Sequence, residues 1–334
     1  MFFKKVKIIA EAGVNHNGNI VYAKKLIDKA KLCGADYIKF QTFDPNLIVT
    51  NNSEIAPYQK KFLPNTNNQK KMLSNLSLSS SQFIDLANYC KKKKIKFLSS
   101  AFDIPSILFL NKKTNIDFFK IPSGEINNIP YLEILGGLNK KVLLSTGMSS
   151  LNEIKNAKKV LEKSGTKPSN ITIMHCVSDY PTKIKDLNLK FIKSIKKISQ
   201  SVGFSDHSIG YEASMAAVVL GAEFIEKHFT LSKKMKGPDH AISLDVDEFG
   251  IFVSKIRITE ELLGKNAKVI TAGEKILKKF ARKSIVASKN IKKGDIFTKF
   301  NLTTKRPGDG LNPIFWHKTL GSKAKKNYKE DEKI

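Results

Sequence analysis

Two histidines are the residues of this sequence best placed to do chemistry. His207 closes Gly203-Phe-Ser-Asp-His207, and His228 closes Glu226-Lys-His228. Taken singly, each reads as a hydrogen-bonded core histidine. On neighbouring strands, their imidazoles would come within reach of one metal ion. Glu226 stands two residues from His228 and shares its face of the strand. Imidazole, carboxylate and water together suit Mn, Zn, Fe or a similar divalent ion, and such an ion could polarise a carbonyl oxygen. His175, just before Cys176 inside a strand-like run, reads as structural. His16, His240 and His317 carry no assignment.

The lysines come next. In Tyr37-Ile-Lys-Phe-Gln-Thr42, Lys39 and Gln41 share a face opposite Ile38 and Phe40. In Phe118-Phe-Lys-Ile-Pro-Ser-Gly-Glu125, Lys120 is flanked by apolar residues. Lysine is rare in a buried strand unless it is paired. Two such lysines, joined by Ser123 and Ser145, would cradle a phosphate or a carboxylate. Glu11, Glu125 and Glu226 could carry protons, bind hydroxyls or orient ligands. Without substrate they would rest as ion pairs with Lys39 or Lys120.

These residues need elements to hold them. Strand-like runs lie at roughly Val6–Ala12, Tyr37–Thr42, Lys96–Phe102, Phe118–Pro122, Lys141–Thr146, Ile171–Cys176, Ser201–Asp206 and Phe224–Phe229, with amphipathic helical stretches between them. Ser79 to Gln82 and Ser149 to Glu153 carry helix-start signals. Eight β/α units predict a TIM (β/α)8 barrel, and a doubly wound sheet is the competitor. Polar residues at the ends of the runs favour the barrel. They include Glu11, Lys39, Gln41, Ser99, Ser100, Lys120, Ser145, Ser178, Tyr180, Ser205, Asp206, His207, Glu226 and His228. Strands buried on both faces should be apolar. Charges at their ends are costly unless they meet a ligand, a metal or each other, and in a barrel all eight ends converge. Beyond about residue 264 the pattern changes. We divide the chain into a barrel over 1–265, a linker over 266–281 and a small β-rich domain over 282–334. That last domain is short enough to lean on the barrel or on a partner subunit.

Composition sets limits on the function. The 334 residues are 41% hydrophobic and carry a net charge of +28. Of the 58 basic residues, Arg257, Arg282 and Arg306 are the only arginines. Nucleic-acid sites favour arginine for bidentate and stacking contacts. Lysine spread over predicted polar faces reads as a solvated surface, so no nucleic-acid partner is expected. No run reaches the ~18 apolar residues of a membrane span, so no membrane partner is expected either. The N-terminal apolar run is broken by Glu11 and reads as no signal peptide. Cys33, Cys90 and Cys176 lie far apart without metal-type spacing, which fits a reduced cytoplasm.

The same residues bring a resemblance into view. The chain resembles the sialic acid synthase family, which comprises N-acetylneuraminate synthase and its legionaminate and pseudaminate relatives. The marks run almost the whole length in order: Glu11-Ala-Gly-Val-Asn-His-Asn-Gly18, Gly34 to Thr42, Lys120-Ile-Pro-Ser-Gly-Glu125, Leu144-Ser-Thr-Gly-Met148, His175 to Thr182, Phe204-Ser-Asp-His207, Glu226 to Thr230, Gly237-Pro-Asp239 and Lys305-Arg-Pro-Gly308. Each is short, but together they are highly specific. The resemblance implies a TIM barrel followed by a small antifreeze-like (SAF) domain. It also implies that Lys39, Ser100, Lys120, Ser123, Ser145, Ser178 and Ser205 hold phosphoenolpyruvate. His207 and His228 would hold a divalent metal, Mn2+ or Mg2+. Gln41, Glu125, Tyr180 and Asp239 would face an N-acetylated aminosugar. Arg306 would reach from the SAF domain into the partner barrel of a homodimer. Ser100 stands where threonine is usual and Ser178 where asparagine is common, which weakens the case for a ligand contact at Ser178.

The implied reaction is attack of phosphoenolpyruvate C3 on the aldehyde of an open-chain N-acetylmannosamine-type sugar. Water adds at C2, and phosphate leaves by C–O cleavage. Glu11 or Glu125 would carry protons, and the lysines, Lys120 included, would stabilise the moving charge. A 2,4-diacetamido-trideoxy acceptor, giving legionaminate or pseudaminate, is the rival on the same scaffold. Acceptor choice falls to the loops around Gln41 to Tyr58 and Lys233 to Ser243. A carbohydrate- or polyanion-binding protein with an inactive barrel is the alternative from another class. The polar strand ends argue against it, because an unused site has no reason to keep Lys, Glu and His where burial penalises them.

Overall fold

The computed structural model describes residues 5–62 and 66–334. Met1 to Lys4 of the basic N-terminal run, and the side chain of Tyr58, lie outside the described residues. Eight parallel strands close into a barrel. They are β1 (Lys7–Gly13), β2 (Tyr37–Thr42), β3 (Lys96–Ala101), β4 (Phe119–Ile121), β5 (Val142–Ser145), β6 (Ile171–Cys176), β7 (Ser201–Asp206) and β8 (Phe224–His228), in chain order, with β8 pairing back onto β1. The closed order excludes the doubly wound alternative. Each strand falls on its expected run, and β4 and β5 are one residue shorter at either end.

The helices around the barrel are α1 (Ile20–Leu32), α2 (Pro45–Ile48), α3 (Pro57–Phe62), α4 (Gln69–Leu76), α5 (Ser80–Lys93), α6 (Ile104–Lys113), α7 (Ile129–Gly137), α8 (Leu151–Lys163), α9 (Phe191–Ile195), α10 (Glu212–Val219) and α11 (Val246–Leu263). Reciprocal capping boxes start α5 (Ser79 with Gln82), α8 (Ser150 with Glu153) and α11 (Asp245 with Glu248). Each satisfies backbone N–H groups that a helix start leaves unpaired. The connection from β2 to α5 is much longer than a barrel needs and carries α2, α3 and α4.

The strands read differently on their two faces. Outward residues such as Ile8, Ile38, Phe119, Leu144, Phe204 and Ile225 pack beneath the helices. Inward residues form layers. Ile9, Tyr37, Leu98, Phe118, Leu143, Met174 and Phe224 make an apolar plug near the strand starts. Two residues further along the same strands stand Glu11, Lys39, Ser100, Lys120, Ser145 and Glu226, all buried. The strand period of two therefore lifts every inward side chain of this second layer onto the floor of the mouth.

Residues Lys265–Ile334 form a second compact unit. It holds α12 (Ala272–Ala281), the antiparallel pair β9 (Ser284–Ala287) and β10 (Leu302–Lys305), and the short α13 (Trp316–Thr319). Its own core is built on Ile285, Ala287, Ile291, Phe297, Leu302, Ala324 and Tyr328. The stretch expected as a linker contains α12 and clusters with this unit. No helix among the described residues is long and apolar enough to cross a membrane.

Candidate active site at the barrel mouth

A cavity of about 590 Å³ opens where the strands end. Glu11, Lys39, Gln41, Ser100 and Lys120 line it, as do Ser123, Glu125, Ser145, Ser178 and Tyr180. Ser205, His207, Glu226, His228 and Asp239 complete that wall. Fifteen of the sixteen candidate residues read from the sequence thus share one cavity. The other, Arg306, belongs to the second unit, where it is exposed and its Nε donates to the Ala281 carbonyl at 3.0 Å. Two strand-end residues expected at the mouth are not there. Ser99 faces outward and shares a hydrogen with Thr42 at 2.7 Å, and Asp206 also points away. Both are out of step with the inward period of their strands.

The floor is a buried quartet of charges. Lys39 Nζ lies 2.7 Å from Glu11 Oε2 and 3.7 Å from Glu226 Oε2, and it donates to Ser100 Oγ at 3.0 Å. Lys120 Nζ donates to Glu226 Oε1 at 2.8 Å, and Ser205 Oγ donates to the same oxygen at 2.9 Å. Burial pushes the Glu11 carboxyl up to about 7, against the pull of Lys39. Burial acts on Glu226 too, but Lys120 and Lys39 overcome it and hold that carboxyl down at about 2. The quartet is not closed. Glu226 Oε2, 3.7 Å from Lys39 Nζ, and Ser145 Oγ are buried without a hydrogen bond. Such groups are expensive to leave unmade.

Beside the quartet, Ser123 Oγ accepts from Gly147 N at 2.9 Å and lies 3.2 Å from Cys176 Sγ. A Cβ on Gly147 would come 2.1 Å from Ser178 Oγ and 2.9 Å from Ser123 Oγ. Only glycine lets the backbone sit between these two hydroxyls. Serine hydroxyls beside two ammonium groups are the donors an oxyanion needs.

His207 and His228 stand with ring centroids 5.6 Å apart. Tyr180 packs against His207 at 4.3 Å. His207 Nδ1 is 2.7 Å from the Val177 carbonyl. A carbonyl only accepts, so the proton is on Nδ1 and Nε2 keeps its lone pair. His228 Nδ1 is buried without a partner. Burial brings His207 down to about 4, and burial with the neighbouring His207 carries His228 well below its usual range. Two neutral imidazoles with an uncommitted nitrogen are what a divalent ion requires. Among the described residues no cluster of three or more His, Cys, Asp or Glu side chains could hold a metal, and Glu226 is engaged by the lysines. The pair fits an ion whose remaining positions go to water or to substrate oxygens.

Across the mouth, Gly13 takes φ +51°, and a Cβ there would come 3.2 Å from Glu11 Oε1, 3.3 Å from Gln41 Nε2 and 3.7 Å from Asp239 Oδ2. Three polar groups converge on this glycine. Burial raises the Asp239 carboxyl to about 6. Its loop is anchored by a network not read from the sequence. Ser243 Oγ donates to the Asp239 carbonyl at 2.6 Å, and Asn15 Nδ2 donates to Ser243 Oγ and to the Phe229 carbonyl, each at 2.9 Å. His240 Nε2 meets Asn17 Oδ1 at 3.2 Å, and Nδ1 meets Thr230 Oγ1 at 2.6 Å. The signal was the two asparagines of the Asn-His-Asn run, Asn15 and Asn17, whose side-chain partners lie more than two hundred residues away. Glu125 is half-buried on a turn and accepts from Asn128 Nδ2 at 2.6 Å. His175 is structural, as expected: Nε2 donates to the Leu187 carbonyl at 2.7 Å, and its ring packs on Phe191 and Phe204.

The outward face of β7 and β8 carries a second buried pair. Lys227 Nζ lies 2.9 Å from Asp206 Oδ2. Asp206 also accepts from Ser214 Oγ at 2.7 Å, from Ser208 N at 2.8 Å and from Ser208 Oγ at 2.6 Å.

The NeuB family model matches residues 26–268, and the SAF domain model matches residues 282–334. The chain belongs to the NeuB family. It is 47% identical to the N,N'-diacetyllegionaminic acid synthase of Campylobacter jejuni, over 99% of both proteins. It is 34% identical to the human N-acetylneuraminate-9-phosphate synthase, over 98% of this chain and 90% of that one. Among solved structures it is similar to the N-acetylneuraminic acid synthetase of Leptospira borgpetersenii in complex with citrate. There the TM-score is 0.70 at 31% identity, covering 82% of this chain and 90% of that one. The NeuB-family barrel described above is therefore an enzyme's, followed by a SAF domain.

Proposed function

We propose that this mouth joins phosphoenolpyruvate to an N-acetylated amino-hexose, with water, to give a nonulosonic acid and phosphate. The observation that carries the reading is the floor quartet. Lys39 and Lys120 are buried at the cavity floor, held there by Glu11, Glu226 and Ser100, with the donors Ser123, Ser145, Ser178 and Ser205 around them. The quartet is formally neutral. An incoming phosphate and carboxylate would draw the ammonium groups from Glu11 and Glu226. Glu11, poised at about 7, can take up a proton as it loses Lys39. That makes it a better proton carrier than Glu125, which is half-buried on its turn.

C3 of phosphoenolpyruvate forms a bond to the acceptor's aldehyde carbon, and the aldehyde oxygen takes a proton. The electrons of the enol phosphate's C2–C3 double bond supply the new bond and leave C2 electron-poor. Water adds to C2, giving up a proton; the C2–O bond to phosphate then breaks with its oxygen leaving on the phosphate, while the new C2 hydroxyl loses its proton and becomes the keto group. Glu11 is placed to exchange these protons. Lys39, Lys120 and the serines hold the phosphate and carboxylate while charge moves. A divalent ion held by His207 and His228, with Mn2+ or Mg2+ the leading candidates, would supply Lewis-acid polarisation of the aldehyde. Gln41, Tyr180 and Asp239 would orient the sugar.

The acceptor reading shifts toward the 2,4-diacetamido-trideoxy sugar and away from N-acetylmannosamine. Support comes from the 47% identity to a protein named N,N'-diacetyllegionaminic acid synthase, against 34% to one named N-acetylneuraminate-9-phosphate synthase. We also assign Arg306 to the partner's barrel mouth in a homodimer working in the cytoplasm. An Arg306→Ala variant should then raise the sugar KM, and an unchanged KM would remove Arg306 from the site. The reaction is tested by phosphate release from phosphoenolpyruvate with each candidate sugar in oxygen-18 water. Label in the keto acid and none in the phosphate is expected. Label in the phosphate would overturn C–O cleavage.

A further inference from the structure

One side of the mouth has a chemistry that the phosphate and carboxylate of phosphoenolpyruvate cannot use. The long connection after β2 folds α2 and α4 into an apolar cluster of its own. Val14, Phe43, Ile55, Met72 and Leu76 are buried in it, and Ile48, Leu73 and Phe102 pack on it half-buried. All but Ile55 also line the cavity. The cluster stands beside the groups assigned to the sugar. Val14 directly follows Gly13, around which Glu11, Gln41 and Asp239 converge, and Phe43 lies two residues past Gln41. Gln59 and Gln69 of the same connection also line the cavity, but an amide carries no charge. Among the described cavity-lining residues of the barrel unit, Lys39 and Lys120 are the only lysines or arginines, and both are engaged by Glu11 and Glu226.

We infer that this flank, with Ile48 and Leu73 at its half-buried edge, selects the acceptor by its far end. It takes an amino-hexose that ends in methyl groups, such as a second acetamido and a 6-deoxy carbon. It rejects one that ends in a hydroxymethyl and, more strongly, one that ends in a phosphate. A methyl gains by leaving water against Leu73 and Ile48. A hydroxyl placed there would lose its hydrogen bonds, and a phosphate would be desolvated without a counter-charge. The inference rests on the synthase reading and deepens it by assigning the acceptor preference to particular residues.

The test compares kcat/KM of the full-length protein, with divalent metal present, for three acceptors. They are a 2,4-diacetamido-2,4,6-trideoxy-mannose, N-acetylmannosamine and N-acetylmannosamine 6-phosphate. The order of preference is expected to follow that sequence. In Leu73→Gln and Ile48→Thr the preference for the first over the second should fall by about tenfold or more, as one misplaced polar or missing methyl group in a binding pocket does. The KM for phosphoenolpyruvate should stay put. Leu73→Met keeps an apolar surface and should keep the preference, which separates selection from general damage. Equal use of the phosphorylated sugar by the unaltered protein would overturn the inference, as would an unchanged preference in both polar variants. In either case phosphate release would leave the synthase reading standing. Absence of release with all three sugars would instead bring down the synthase reading, and this inference with it.

Discussion

Two buried ion clusters lie on opposite faces of the barrel wall, one outside β7 and β8 and one inside β1, β2, β4 and β8, and they are finished to different degrees. On the outward face of β7 and β8, Asp206 accepts from Lys227, Ser208 and Ser214 with both oxygens used. On the inward face, Glu226 and Glu11 hold Lys39 and Lys120, yet Glu226 Oε2, Ser145 Oγ and His228 Nδ1 have no hydrogen-bond partner. Burial is equal, so desolvation does not distinguish them. What does is satisfaction: the outer cluster has every oxygen of Asp206 engaged, and the inner one leaves buried polar atoms open toward the cavity. The first reads as a structural clamp, and the second fits the anion site proposed above.

The largest effect expected from this contrast is on stability. Lys227→Met leaves Asp206 charged and buried without its counter-ion, and should cost about 3–5 kcal/mol, read by urea unfolding. Protein that remains folded should bind phosphoenolpyruvate as before. Lost affinity with full stability would erase the distinction between the two faces. Next in size is Lys120→Met on the inner face. Glu226 keeps Ser205 and Lys39, so the melting midpoint should fall less than in Lys227→Met. Loss of one pre-set cation from the anion site should cut kcat/KM for phosphoenolpyruvate by about 10²–10³.

A pH effect should follow from Asp239. Its carboxyl is raised by burial to about 6, so it is ionised only above that pH and accepts hydroxyl hydrogens only there. Sugar KM should climb as pH falls below about 6, by up to about tenfold per unit, and Asp239→Asn should flatten the profile. The stability sign runs the other way. Folding favours the protonated form, so this contribution is present below the unfolded carboxyl's pKa and is lost as pH rises through about 6. The smallest effect belongs to Glu125. Half-buried and already held by Asn128, it should lose less than about tenfold in kcat as Glu125→Gln, whereas a true proton carrier such as Glu11 should lose about 10²-fold or more.

Much of this was legible in the sequence. Strand period and strand-end polarity are local properties, so the eight strands and the residues at their inward ends could be read from runs such as Tyr37 to Thr42. The errors share one cause. Ser99 and Asp206 sit at strand ends but on the wrong face, and a face one residue out of step is easily missed in a short run. The rest was invisible because it depends on partners far apart in sequence. Asp206 meets Lys227 across two strands, and Asn15 meets Ser243 across nearly the whole barrel. The apolar flank of Met72 and Leu73 was hidden for another reason. Apolar residues in a long connection look like ordinary packing until the cavity they border is known.

The central claim is that the open inner cluster is an anion site serving carbon–carbon bond formation. Its most direct test is to incubate the full-length protein with phosphoenolpyruvate, a divalent metal and 2,4-diacetamido-2,4,6-trideoxy-mannose, and to measure phosphate and nine-carbon keto acid together. The account predicts that both appear in equal amounts and that neither appears without the sugar. Phosphoenolpyruvate bound at the mouth, but no phosphate released with this or any other N-acetylated amino-hexose, would contradict it.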